Sequence, residues 1–229
     1  MSDFPLPSIQ TSILTQVDGS CEWSQNTTTV ITSVSGPIEA RTRDEIPTAA
    51  TVDLIVRPQI GLSTTREHLM EEKIQNAFSS IIFKVLNPRA LIQVVVQVIE
   101  AGELPKYNVL ELSAAINSLS ISLIDAGIPL FSIACAAPAA VIEKKDEPPQ
   151  IIIHPTSQKL KEASSWHIIV YEIKENNPTR LVLCESTGEF TKDQLYKVLE
   201  LSAEAAAKSF QFIKAATAEK LKRDFKWKN

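Results

Sequence analysis

A mixed α+β fold, with antiparallel and mixed sheets packed against helices in two consecutive halves, is the class this sequence predicts. Three observations predict it. β-branched residues alternate with polar ones over much of the first sixty positions; two segments with three-and-four apolar spacing follow; and after a charged, proline-rich break at Glu143 to Gln150 the chain returns to strands and ends on a long helical stretch. The order is three strands, helix, strand, helix, strand, then three strands and a helix. That order suits sheets packed on helices better than the regular βαβ alternation of a doubly wound nucleotide-binding fold.

Each element has its own signal. Ile9 to Val17 reads as extended, and Asp18-Gly19-Ser20 as a turn in which Gly19 takes a positive φ without steric cost. Thr28 to Ser35 is β-branched and is expected to close at Gly36-Pro37, while Val52, Leu54 and Val56 alternate with Asp53 and Arg57. An antiparallel N-terminal sheet follows from these. Ile74, Ala77, Phe78, Ile81, Ile82 and Val85 share one helical face, with Thr64 and Glu67 as a capping box and Asn87-Pro88 as the stop. Leu91 to Ile99 is an apolar strand broken only by Gln93 and Gln97, expected in sheet core. Val109, Leu112, Ile116, Leu119 and Leu123 define a second helix that stops at Gly127 and Pro129, and Phe131 to Ile142 is a strand again. Beyond the break come extended Ile151 to Ile153, strands near Trp166 to Ile173 and Arg180 to Glu185, and a terminal helix. That helix starts at Thr191, with Gln194 completing a capping box, and continues through an Ala-rich body. Residues 1–142 therefore form a first part, 143–150 a linker and 151–229 a second part.

The 229 residues, 44% of them hydrophobic and 22% charged, suffice for a full core. A formal net charge of −4 argues against a surface that binds nucleic acid everywhere; any RNA contact is local or shared with partners. Cys21, Cys135 and Cys184 are odd in number and sit among apolar or hydroxyl neighbours, which reads as buried free thiols in a reducing compartment. Met1 to Pro7 has no basic start and apolar core, and no apolar run approaches the roughly 20 residues a spanning helix needs. A soluble, intracellular protein is expected. There is no GxGxxG and no GK[ST] phosphate loop.

A family resemblance is carried by several motifs in order. Val17-Asp18-Gly19-Ser20, with Thr29 to Ser35 and then Gly36-Pro37-Ile38-Glu39, resembles the opening of RNase PH family proteins. Asn87-Pro88-Arg89 before a strand, Ile99-Glu100-Ala101-Gly102, Ala115-Ile116-Asn117, Asp125-Ala126-Gly127-Ile128-Pro129 and Ser186-Thr187-Gly188-Glu189-Phe190 are similar to its later segments. The resemblance covers nearly the whole chain and implies an RNase PH-like fold.

The departures imply the function. Active members carry a Gly-Thr-Arg or Gly-Ser-Arg triplet that holds inorganic phosphate, and here its place falls on Leu110, Glu111 and Leu112, of which Glu111 would repel the anion. The family's pair of acidic residues falls near Gln158 and Ser164, which neither donate a proton near neutral pH nor hold a hard cation, and a two-residue shift recovers only Glu162. The resemblance thus implies no catalytic, phosphate-binding or metal residues and no cofactor. Arg57-Pro58, Thr64-Thr65-Arg66-Glu67 and His154-Pro155-Thr156, where His154 replaces a usual aspartate, look most like the non-catalytic ring subunits of the eukaryotic exosome. Such a subunit joins other RNase PH-like subunits in a hetero-oligomeric ring under OB- and KH-type cap proteins, and RNA threads through the ring to a hydrolytic exoribonuclease. The implied work is rRNA maturation and RNA turnover in nucleus, nucleolus and cytoplasm. A phosphate-dependent 3′-exoribonuclease is the alternative, and a stand-alone RNA-binding protein a third reading.

Arg41, Arg43, Arg57, Arg66, Lys84 and Arg89 are the candidates for RNA contact through phosphates; the competing expectation is pairing with Asp44, Glu45, Asp53 and Glu67. His68, His154 and His167 lack metal-ligand spacing, and no GxSxG elbow supports a triad of Ser20, His167 and Asp193. Trp23, Trp166 and Trp227 are candidate partner-surface aromatics.

Overall fold

The computed structural model describes residues 5–143 and 149–225. Strands β1 (Ser8–Thr11), β2 (Gly19–Gln25), β3 (Thr28–Glu39), β4 (Thr51–Arg57) and β5 (Ala90–Glu100) form one sheet in the order β1-β2-β3-β5-β4. All its pairs are antiparallel except β4 with β5, which run parallel. The expected antiparallel N-terminal sheet forms over β1, β2, β3 and β5, and mixed pairing enters at β4. Parallel neighbours need a crossover, and helix α1 (Thr65–Ser79) supplies it between β4 and β5.

Side-chain alternation sets which face is core. Ile92, Val94, Val96 and Val98 of β5 are buried while Gln93, Val95 and Gln97 between them are half-exposed, so this central strand has one dry face. β3 does not close at Gly36-Pro37; it runs on to Glu39 through a register shift between Ser35 and Ile38. A proline cannot donate to a ladder, and the bulge is where a strand tolerates one. Gly19 is also corrected: it starts β2 and its φ is not positive. It must be glycine because a Cβ there would run into the Ser122 carbonyl and the Ala126 amide of the helix behind it.

α1 begins as expected, with the Thr64 amide and hydroxyl both donating to Glu67 Oε2 at 2.7 and 2.6 Å. It ends at Ser79, earlier than Asn87-Pro88 suggested. The Phe131 amide donates to the Ile81 carbonyl and the Phe83 amide to that of Pro129, so buried Ile81 and Ile82 serve an extended pairing and Val85 is left exposed.

Helix α2 (Val109–Asp125) is the centre of the molecule. Every residue from Val109 to Leu123 is buried, because α2 packs on β2 and β3 on one side and on β6 (Ile133–Ile142) on the other. Its small polar side chains tie it to both sheets. Ser118 Oγ donates to Cys21 O and Ser122 Oγ to Thr32 O in the first sheet; Ser120 Oγ donates to Ala134 O, and Asn117 exchanges two bonds with Ala136, in the second.

That second sheet adds β7 (Gln150–Ile153), β8 (Ser165–Lys174) and β9 (Asn177–Gly188) in the order β7-β6-β8-β9, antiparallel throughout. The linker expected at 143–150 falls largely on residues 144–148, outside the described ones, and β6 before it pairs with β7 and β8 after it. A short helix α3 (Ser157–Glu162), not expected from the sequence, joins β7 to β8. Helix α4 (Lys192–Asp224) starts at the Thr191–Gln194 capping box and covers β6, β8 and β1. Cys21 and Cys135 are buried, whereas Cys184 on the outer strand β9 is exposed, against expectation. Trp23 lies in the core and marks no surface, Trp166 is half-buried, and Trp227 lies outside the described residues.

Candidate functional site at the start of the central helix

The positions expected for a phosphate triplet, Leu110, Glu111 and Leu112, form the first turn of α2. What occupies the free amides of that turn is a side chain of the chain itself. After β5 the backbone turns at Ala101-Gly102, where Thr28 Oγ1 donates to Ala101 O at 3.0 Å and Thr27 Oγ1 to Gly102 O at 3.2 Å. Gly102 has φ +68°, and a Cβ on it would run into Thr28 Oγ1. The turn delivers Glu103 to the helix start. Its Oε1 accepts the Leu110 amide at 2.8 Å and the Glu111 amide at 3.0 Å. The positive end of the helix dipole favours this placement of a carboxylate.

The placement is costly as well as favourable. Glu103 is only 9% exposed, and its Oε2 has no hydrogen-bond partner among the described residues. Burial pushes its carboxyl up to about 7; the Glu111 amide bond opposes this and the nearby Glu111 charge reinforces it.

Beside it lies a network of carboxylates around one guanidinium. Arg66 Nη2 contacts Glu111 Oε2 at 2.7 Å, Nη1 contacts Glu67 Oε1 at 3.1 Å, and Nε donates to Asn108 Oδ1. Burial raises the Glu111 carboxyl above its ordinary value, with Arg66 pulling the other way. For Glu67 burial also pulls upward, but the hydrogen bonds from Thr64 outweigh it and hold the group below the usual range. A cleft of about 310 Å³ opens over these groups, with the exposed Ile60 and Leu62 on its rim. Three carboxylates and one arginine line it, which is a poor receptacle for a phosphate dianion.

The six basic candidates divide between two ends of the first sheet. Arg41 and Arg43 line a second cleft with Thr51 and Asp53; the Ala50 amide donates to Lys84 O, and the Arg89 amide to Ile46 O. These four stand where β4 and β5 begin. Arg57 ends β4, about 20 Å along the strand, and Ser63 Oγ bonds Val56 O to hold the Arg66 turn at that same end. Arg43 pairs with Asp44 and Arg89 with Glu45, both at 3.2 Å, and Arg66 with Glu67, so the expected pairings form at these three. Arg41 and Arg57 have no ion pair among the described residues.

The remaining sequence candidates are placed as follows. Ser164 bonds Val141 O through its amide and hydroxyl, while Gln158 and Glu162 are exposed on α3. His167 sits between Ser165 Oγ and Ser186 Oγ, and Ser20 Oγ accepts the Leu14 amide, so the two share no hydrogen bond. No group of three His, Cys, Asp or Glu with metal-holding geometry occurs among the described residues. Glu103 was missed. Its signal in the sequence is slight, an acidic residue between a strand and a helix N-terminus that lacks a local capping box.

Two sheets clasping a buried helix, with a long second helix outside, define an RNase PH-like α+β protein, as the fold expectation held. The crystal structure of rice (Oryza sativa) Rrp46 superimposes with a TM-score of 0.81 over 92% of this chain and 93% of that one, at 21% identity. The sequence pattern of RNase PH, described as "3' exoribonuclease family, domain 1", matches residues 7–129. The chain belongs to this RNase PH, 3′ exoribonuclease family. Among its relatives are Exosome complex component RRP46 of Saccharomyces cerevisiae, 38% identical over 82% of this chain and 85% of that protein, and Exosome complex component rrp46 of Schizosaccharomyces pombe, 35% identical over 87% and 85%. Exosome complex component Rrp41 of Archaeoglobus fulgidus is 24% identical over 91% and 80%.

Proposed function

We propose that this chain is a non-catalytic, RNase PH-like ring subunit of the RNA exosome, of the RRP46 type, that scaffolds 3′-to-5′ RNA processing and degradation. The observation that carries the reading is the 38% identity along 82% of the chain to a relative named as an exosome component. The first turn of α2 supports the non-catalytic part: its amides serve Glu103, and Glu111 stands where the resemblance puts a phosphate ligand. Other RNase PH-like subunits and an OB- or KH-type cap protein are the partners, with a hydrolytic exoribonuclease acting on RNA that passes through the ring. The work is placed in nucleus, nucleolus and cytoplasm. RNA contact is assigned first to Arg41, Arg43, Lys84 and Arg89, which stand together at one end of the first sheet, and less to Arg57 and to Arg66, whose guanidinium is already engaged.

The test is purification of the tagged chain at its native level, with identification of what accompanies it and an assay of the isolated chain on single-stranded RNA with inorganic phosphate. Recovery of RNase PH-like subunits without phosphate-dependent nucleotide release is the expected result. Phosphorolysis by the isolated chain would instead support the second reading, a phosphate-dependent 3′-exoribonuclease, which the relatives from Oryza sativa and Arabidopsis thaliana named "Exosome complex exonuclease RRP46 homolog", 24% and 28% identical, favour.

A further inference from the structure

We infer that Tyr107 and Trp166 form a cation-binding corner, held in this structure by the chain's own Lys106, whose external guest is a methylated lysine side chain of a partner polypeptide. The inference concerns this chain alone and stands apart from its assembly into a ring.

The two rings meet edge to face, with centroids 5.0 Å apart and planes at 84°. The Lys106 ammonium lies 5.9 Å from the centroid of Tyr107 and 5.7 Å from that of Trp166, within reach of both π faces. The corner is built before any guest arrives. Trp166 stands on β8 between Ala140 of β6 and Thr187 of β9, and the Tyr107 amide donates to Leu104 O at 3.0 Å. Both rings pack on the same small cluster of Leu110, Ala140 and Leu160, which fixes their mutual angle.

A cavity of about 120 Å³ opens on the corner, and it shares no lining residue with the cleft over Glu103 and Arg66. Its size and shape select the guest. Rings at right angles leave no parallel pair of faces for a nucleobase to slip between, whereas a compact cation meets both. Glu185 lines the same cavity, and its 2.6 Å pair with Lys73 offsets the charge of that second lysine. Lys106 is an exposed side chain, held over the rings by a contact weak enough to exchange. Its ammonium is strongly hydrated. A trimethylated head presents methyl groups in place of N–H donors, loses less water on entry, and so displaces it.

The experiment adds the full chain to the amide of Nα-acetyl-trimethyl-lysine and follows the N-methyl proton resonance together with the Trp166 indole N–H. A saturable upfield ring-current shift is expected, and the same compound without methyl groups should give none. K106A, which removes the resident cation from an exposed position, should bind about two- to fivefold more tightly than wild type. K106R, which keeps the corner filled, should not gain affinity. W166L should lose the shift; where that variant does not fold, the two Lys106 variants still decide. The neutral carbon analogue, with a tert-butyl group in place of trimethylammonium, should not compete. Equal binding of that analogue would overturn the inference, as would tighter binding of AMP or phosphocholine at the same indole, or a K106A chain that gives no shift. Failure of the ring reading appears elsewhere, in the accompanying subunits and the phosphorolysis assay, and leaves these resonances unaffected.

Discussion

Glu103 ties stability to pH as well as to geometry. Its carboxyl is raised by burial to about 7 from 4.5, so between those values the folded chain holds a proton that the unfolded chain has lost. Its contribution is complete below pH 4.5 and is lost as pH rises to about 7. His154, lowered by burial to about 4 from 6.5, slopes the other way, its contribution being lost as pH falls through that interval. The difference between E103Q and wild type isolates the glutamate: in urea unfolding from pH 5 to 8, the advantage of E103Q should grow up to about pH 7 and then level off. Arg66 is the second residue to test. Arg66→Ala strands the buried Glu111 and Glu67 carboxylates and should cost about 2–4 kcal/mol in the same assay. The contact between Arg66 and its neighbour Glu67 was legible from sequence. Its contact with Glu111, 45 positions away, was not, nor was the reach of Glu103 over seven residues, because both depend on how the Gly102 and Asn108 turns are set.

Helix starts were the most legible elements, since a capping box is written within four residues, and both Thr64–Glu67 and Thr191–Gln194 form. Thr191→Ala should lower stability by about 1 kcal/mol, read as a shift in the denaturation midpoint at unchanged slope. Ends and bends were less legible because distant partners decide them. The Ile81–Phe83 backbone leaves the helix to pair with the chain around Pro129 and Phe131, and Pro37 sits in a bulge of a strand it was expected to end. Gly19 shows the same logic: a turn glycine by local sequence, it is a close-approach glycine by packing. Gly19→Ala drives a methyl group into the backbone of α2 and should destabilise toward the upper end of about 1–3 kcal/mol. The all-round burial of α2 was likewise hidden, because its Ser and Asn positions look like a solvated face until the second sheet is laid against them.

For the molecule as a whole, a net charge of −4 leaves RNA contact to local groups, and the six basic candidates sit at two ends of one sheet. If RNA touches the end that carries Arg41 and Arg43, changing both to alanine in the assembled complex should lower the slope of log affinity against log salt by about 1.4, two phosphate contacts on a single strand. Arg57→Ala at the other end should leave that slope unchanged. Fluorescence anisotropy with labelled single-stranded RNA distinguishes the two ends.

The pairing of β6 with strands that follow it also sets a timetable. On the ribosome, α2 leaves the exit tunnel ahead of β6, the strand its second-sheet side lies against, and β6 itself stays unpaired in its own sheet until β7 and β8 follow it out. The nascent chain must carry those greasy surfaces until then, which is the interval in which a holdase chaperone would be needed most.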